Sequence, residues 1–246
     1  MKPLHPDWIV PDWPVPANVK AFITTRAGGV SIGPFASFNI GVRAGDDAEA
    51  VARNRDRLRE SLPDEPKWLR QVHGSVVADA DTLADVQEAD ASVARRPKTV
   101  CVIQVADCVP VLFAGRDGST VAAAHAGWRG LSGGVLENTV KRMALPASSV
   151  MAYLGPGIGP RAFEVGADVR EAFLAHDSAA AAAFAPHVPG KWMADLYLLA
   201  RQRLAALGID SVHGGGFCTH SDPKRFFSYR REKTSGRMAA VIWRDE

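Results

Sequence analysis

Apolar and polar positions fall into short runs along this chain, and most of the runs have the length and residue types of strands. VKAFITT (19–25) is rich in β-branched and aromatic residues and predicts a strand, which ends where Arg26-Ala-Gly-Gly forces a turn. VCVIQV (100–105) and TVAAA (120–124) predict two buried strands at the centre of the chain. VMAYL predicts another, running into the Gly/Pro loop 155–160. Ser211–Phe217 and MAAVIW (238–243) predict two more, and Phe163–Gly166 a short extended piece. WLRQVHGSVV (68–77) predicts a strand interrupted at His73-Gly74.

Helical spacing is confined to fewer places. Val51, Arg55 and Leu58 share one face of a helix over 48–61, which Asp46 or Asp47 can cap. Leu136, Val140 and Met143 align in a helix over Leu131–Met143, and Asp168 opens another to about His176. The alanine run 179–183 predicts plain helix, and ADASVARR (89–96) a turn or short helix. Asp195 caps LYLLARQRLAALG, closed by Gly208. Residues 1–18 hold five prolines and two tryptophans and predict an irregular arm. Residues 28–47, with five glycines, predict a long loop of the kind that carries function. No linker or repeat divides residues 1–246. Strands mix with helices throughout, so the pattern predicts one α/β domain, its helices covering a mixed sheet or two packed sheets.

Composition narrows the partners. The net charge is +2, from 29 basic and 27 acidic residues, which gives no reason to expect nucleic acid or an anionic membrane. Three cysteines, an odd and small number, predict no disulfide framework and a reducing compartment. The proline-broken N-terminal stretch has no apolar segment of signal length, and no run approaches the ~20 apolar residues of a membrane helix. The expectation is a cytoplasmic protein.

The central strands also carry the chemistry. VCVIQV leads to Asp107 and Cys108, TVAAA to His125, and His73 lies upstream beside Gly74. Each donor stands at a strand-to-loop junction, where sites are assembled. Converged, they would offer two imidazoles and a thiolate with a fourth position open, the pattern of a catalytic zinc site. Alone, each has a plainer reading: a small core cysteine, a hydrogen-bonded histidine. Arg26 and Arg129, flanked by glycines, suit an oxyanion or phosphate, with Asn39 a weaker partner. Phe226, Phe227 and Tyr229 offer a flat wall for a base, or core packing. The 155–160 loop only superficially resembles a dinucleotide fingerprint, because its prolines spoil the helix start.

TTRAGGVSIGPFASFNIG, GDDAEAVARNRDRL, WLRQVHG, VADCVPVLF, AAAHAGWRGL, LGPGIGP, FEVG, DLYLLARQRL and FFSYRR…SGRMAAVIW follow one another over nearly the whole chain. In these segments the chain resembles the laccase-domain family of YfiH-like proteins, once called multicopper polyphenol oxidases and now described as purine nucleoside phosphorylases. Arg43 and His220 depart from its usual pattern. The resemblance implies a single-domain sandwich of helices around mixed β-sheets, with His73, Cys108 and His125 binding zinc, copper being possible. It implies phosphorolysis of adenosine, inosine and methylthioadenosine, deamination of adenosine, and a monomer or homodimer whose partners are purine nucleosides and phosphate. Asp107 is the expected proton-transfer group, or the group that fixes a ligand histidine. A metal-free cysteine hydrolase, an editing hydrolase of peptidoglycan precursors and a non-catalytic metal-binding protein are the alternatives. A phenol-oxidising copper enzyme is a further one, but seven histidines without a His-x-His pair do not build a multicopper centre.

Overall fold

The computed structural model describes all 246 residues. In chain order the elements are β1 (Val19–Ile23), α1 (Ala48–Glu60), β2 (Pro66–Lys67), β3 (Val77–Asp79), β4 (Ala91–Ala94), β5 (Val100–Val105), β6 (Val109–Gly115), β7 (Val121–Ala126), α2 (Trp128–Ser132), α3 (Val135–Met143), β8 (Val150–Leu154), β9 (Glu164–Val165), α4 (Ala167–Leu174), β10 (Phe184–Pro186), β11 (Trp192–Ala194), α5 (Leu196–Ala206), β12 (Ser211–Gly214), α6 (Tyr229–Glu232) and β13 (Met238–Arg244).

The strands build two large sheets and a small one. A four-stranded sheet has the order β1-β13-β5-β2, and a six-stranded sheet the order β12-β8-β6-β7-β4-β3. The third is β10-β11-β9. Period-two burial fixes how the large sheets stack. Cys101, Ile103 and Val105 of β5 face Leu112, Ala114, Val121 and Ala123 of the other sheet in one buried layer. Val100 and Val102 face the opposite way, with Phe22, Trp243 and Leu58 of α1. Beyond the six-stranded sheet, Val111, Phe113, Ala122 and Ala124 pack on Leu136 and Val140 of α3 and Leu199 and Leu204 of α5. The result is four layers, helix–sheet–sheet–helix.

Several expectations change. VPVLFAG is a third central strand, β6, antiparallel to β7 with Pro110 opposite His125. Pro110 sits near its start, where a missing N–H costs little. ADASVARR holds strand β4, its four residues buried between β3 and β7 because small side chains fit between the two packed layers. WLRQVHGSVV is not a strand. Its backbone turns at His73, with φ 61°, and the N–H groups of residues 72–74 bond a carboxylate rather than a ladder. The helix over Leu131–Met143 breaks into α2 and α3 at Gly134, which takes φ 88°. The alanine run forms a 3₁₀ turn over Ser178–Ala183, capped by Asp177. The strand from Ser211 stops at Gly214 and Gly215, both left-handed. Trp8 of the N-terminal arm stacks on Phe22, 5.2 Å between ring centres, so the arm seals the outer layer. No helix is long and apolar enough to cross a membrane.

Candidate metal centre and cavity

Cys108 sits in the short crossover from β5 to β6, where the chain passes from one large sheet to the other. His125 is the penultimate residue of β7, and its parity, shared with Val121 and Ala123, aims the ring between the sheets. His73 reaches over from the loop after β2. The three ligand atoms lie within 4.8 Å of one another, and the imidazole centres are 4.7 Å apart. Gly127 leaves room for them: a Cβ there would stand 2.8 Å from Cys108 Sγ and 3.1 Å from His73 Cδ2.

Asp90, which sequence reasoning missed, organises this group. Its carboxylate is fully buried. It accepts the N–H groups of Val72 (3.1 Å), His73 (2.9 Å) and Gly74 (2.7 Å), and lies 2.8 Å from His125 Nδ1. One side chain therefore sets the backbone under one histidine and the ring of the other. The contact takes His125 Nδ1, so Nε2 is the nitrogen left for a metal. Fixing the histidine was the expectation for Asp107; Asp90 does it instead. Asp107, at φ 90°, accepts Thr219 Oγ1 and the Arg230 N–H, each at 2.6 Å, and ties residues 219–230 to the centre.

Charge follows geometry. Burial pushes the Cys108 thiol up, but the charge and hydrogen bonds of His125 and His73 outweigh it and bring the thiol to about 6. Burial pulls His125 down, and the Cys108 thiolate with the Asp90 carboxylate carries it up to about 9. In the burial of Asp90 the carboxyl rises, yet the bonds from His125 and Gly74 hold it below its ordinary value. A thiolate and two imidazoles are a zinc donor set. A tetrahedral ion would need these donors roughly 3.3–3.6 Å apart, and here the three atoms lie within 4.8 Å of one another.

The group opens on a cavity of about 850 Å³. Arg43, Arg129, Arg230, Lys233 and Arg237 line it, with Trp128, Phe163 and Tyr229. None of the five cations pairs with a carboxylate. Arg43, Arg230 and Arg237 donate only to backbone carbonyls, Arg129 stacks on Trp128 at 4.4 Å, and Lys233 Nζ stands 5.8 Å from the Tyr229 ring. Burial lowers the Arg237 guanidinium, against the pull of the Cys108 and Asp107 charges.

Of the residues expected to bind substrate, Arg129 lines the cavity; Arg26 and Asn39 do not. The Arg26 guanidinium bonds Ala36 O (2.8 Å), Pro223 O (3.0 Å) and Glu232, so it is spent on holding loops together. Asn39 is buried, bonding Asp46 and accepting the N–H groups of Gly41 and Arg237. It places Arg237 rather than a ligand. Phe226 and Phe227 are core; Tyr229, half exposed, is the ring of that segment that meets the cavity. Arg230, Lys233 and Arg237 were legible only as loop cations.

Known proteins match the chain along its length. A purine nucleoside phosphorylase of Pseudomonas aeruginosa is 54% identical over 237 residues, covering 96% of this chain and 98% of its own. The Escherichia coli purine nucleoside phosphorylase YfiH is 53% identical over 239 residues, with the same coverage. A crystal structure of a Neisseria meningitidis protein of the family DUF152 superposes with a TM-score of 0.95 at 50% identity, covering 98% of this chain and all of that one. The family model described as multi-copper polyphenol oxidoreductase laccase matches residues 20–245. The chain belongs to that laccase-domain family, together with the YfiH proteins.

Proposed function

We propose that the protein is a zinc-dependent purine nucleoside phosphorylase that acts on adenosine, inosine and methylthioadenosine and also deaminates adenosine. One observation carries the reading. A two-histidine, one-thiolate group opens into a cavity that combines unpaired cations with aromatic rings, which suits a dianion beside a flat base. The names of the P. aeruginosa and E. coli relatives support it.

His73, Cys108 and His125 would hold the ion. Bound there, zinc would supply Lewis-acid chemistry, polarising a substrate or water donor. Arg129, Arg230 and Arg237 bind and orient phosphate, and their charge offsets that of the phosphate as its oxygen forms the bond to C1′. The N-glycosidic bond breaks and its electron pair leaves with the base, which takes up the proton that the attacking hydrogen phosphate gives up. Trp128, Phe163 and Tyr229 hold the base and exclude water from its faces. Asp107, with both oxygens bonded, acts by fixing the segment that carries Arg230.

The test is chromatography of the zinc-loaded protein with each nucleoside. Release of base that requires phosphate, and yields sugar 1-phosphate, is expected. Release without phosphate, or none, would sink the reading. Inosine formed from adenosine tests the deaminase part separately.

A second reading has its own observation. Cys108, His125 and Asp90 form a thiolate–imidazole–carboxylate series like that of cysteine hydrolases. An acyl-enzyme isolated from metal-free protein would favour it.

A further inference from the structure

The cavity holds more positive charge than the proposed reaction uses. A nucleoside is neutral, and one phosphate dianion roughly answers two of the five cations. The zinc and the thiolate add charge of opposite signs and do not remove the surplus. The cavity is also roomy: about 850 Å³ lies in the upper part of the ~300–1,000 Å³ range of small-molecule sites.

The cations stand at two depths. Arg230 and Arg237 are half-buried, and both belong to the inner end: the Arg230 N–H bonds Asp107, and Arg237 feels the charges of Cys108 and Asp107. Arg43, Arg129 and Lys233 are exposed on the open side, and of these Arg129 is stacked on Trp128, 4.4 Å from its ring. Tyr229 lies between the two depths, with Arg237 5.9 Å and Lys233 5.8 Å from its ring.

We propose that Arg43 and Lys233 form a second anion position at the cavity mouth, and that its ligand is the phosphate of a nucleoside 5′-monophosphate. The inference rests on the reading of the cavity as a purine nucleoside site. Orthophosphate would take the inner position and the 5′-phosphate the outer one, with the nucleoside between them. Tyr229 and Trp128 then serve the base in either ligand.

Calorimetry with the zinc-loaded protein, at saturating orthophosphate, decides it. AMP is expected to bind at least roughly tenfold more tightly than adenosine, about the worth of one charge-assisted hydrogen bond. The advantage should shrink as salt is raised. Arg43→Gln combined with Lys233→Gln should bring the ratio of AMP to adenosine affinity close to one; both side chains are exposed, so the fold should tolerate the change. AMP that binds no better than adenosine, or that orthophosphate displaces one for one, would overturn the second position. Tight AMP binding without adenosine phosphorolysis would count against the proposed reaction alone.

Discussion

The carboxylate of Asp90 lies 2.8 Å from His125 Nδ1, and the same group accepts the backbone N–H of His73 at 2.9 Å. Two of the three candidate metal donors thus share one buried anchor, though 52 residues of sequence separate them. Asp90→Asn keeps the volume but turns one of the two acceptor oxygens into a donor. Each oxygen faces two hydrogen-bond partners, Oδ1 the His73 N–H and His125 Nδ1, Oδ2 the Val72 and Gly74 N–H groups. Zinc affinity, measured by competition with a chelator, should fall about 10- to 100-fold. Excess zinc should restore much of the activity. An unchanged affinity would show that the histidines do not need the anchor.

In metal-free protein the Cys108 thiol lies near 6 and His125 near 9. Both are charged between those values. The thiolate is lost as pH falls through about 6, and the imidazolium as pH rises through about 9. Iodoacetamide reacts with thiolate, so labelling of Cys108 should rise through about pH 6 and then level off. Cys101, buried and pushed up to about 12, should stay unlabelled. Zinc should protect Cys108 above about pH 6, where the thiolate is available to hold it. Peptide mass mapping follows each site.

Gly127→Ala tests the room left for the donors. The new methyl would press on Cys108 Sγ and His73 Cδ2. Elemental analysis should find little bound metal. The fold should survive, since overpacking costs about 1–3 kcal/mol. Full zinc content would mean that the two side chains yield easily.

Arg203, almost fully buried on α5, bonds Glu137 Oε1 and Ser132 O, each at 2.8 Å, and so ties α5 to α2 and α3. Arg203→Ala strands the Glu137 carboxylate. Removing one partner of a buried pair costs ~3–5 kcal/mol; with Glu137 26% exposed, about 2–3 kcal/mol is expected. Urea unfolding measures it. Adding Glu137→Ala should recover part of the loss.

Much of the layered fold was legible because β1, β5, β8 and β13 are strand-length runs rich in β-branched, aromatic and other apolar residues. It was not legible in β4, where ASVA is only four residues long and three of them are small. Nor was it legible around His73, where a distant carboxylate replaces a strand partner. The three donors stood out because thiol and imidazole are rare at strand ends. Asp90 did not, since one acidic residue in a polar stretch looks like solvent-facing chain; only its burial reveals its work. Arg26 misled for the opposite reason. Its glycine-flanked loop suggested a ligand, and the same loop lets its guanidinium reach backbone carbonyls.

Asp107 is the residue next to Cys108, and it is also the post to which Thr219 and Arg230 are fastened. The sulfur and the wall bearing Tyr229, Arg230 and Lys233 thus hang from neighbouring residues of one short crossover, and a single peptide is all that lies between the thiol and the support of the entrance.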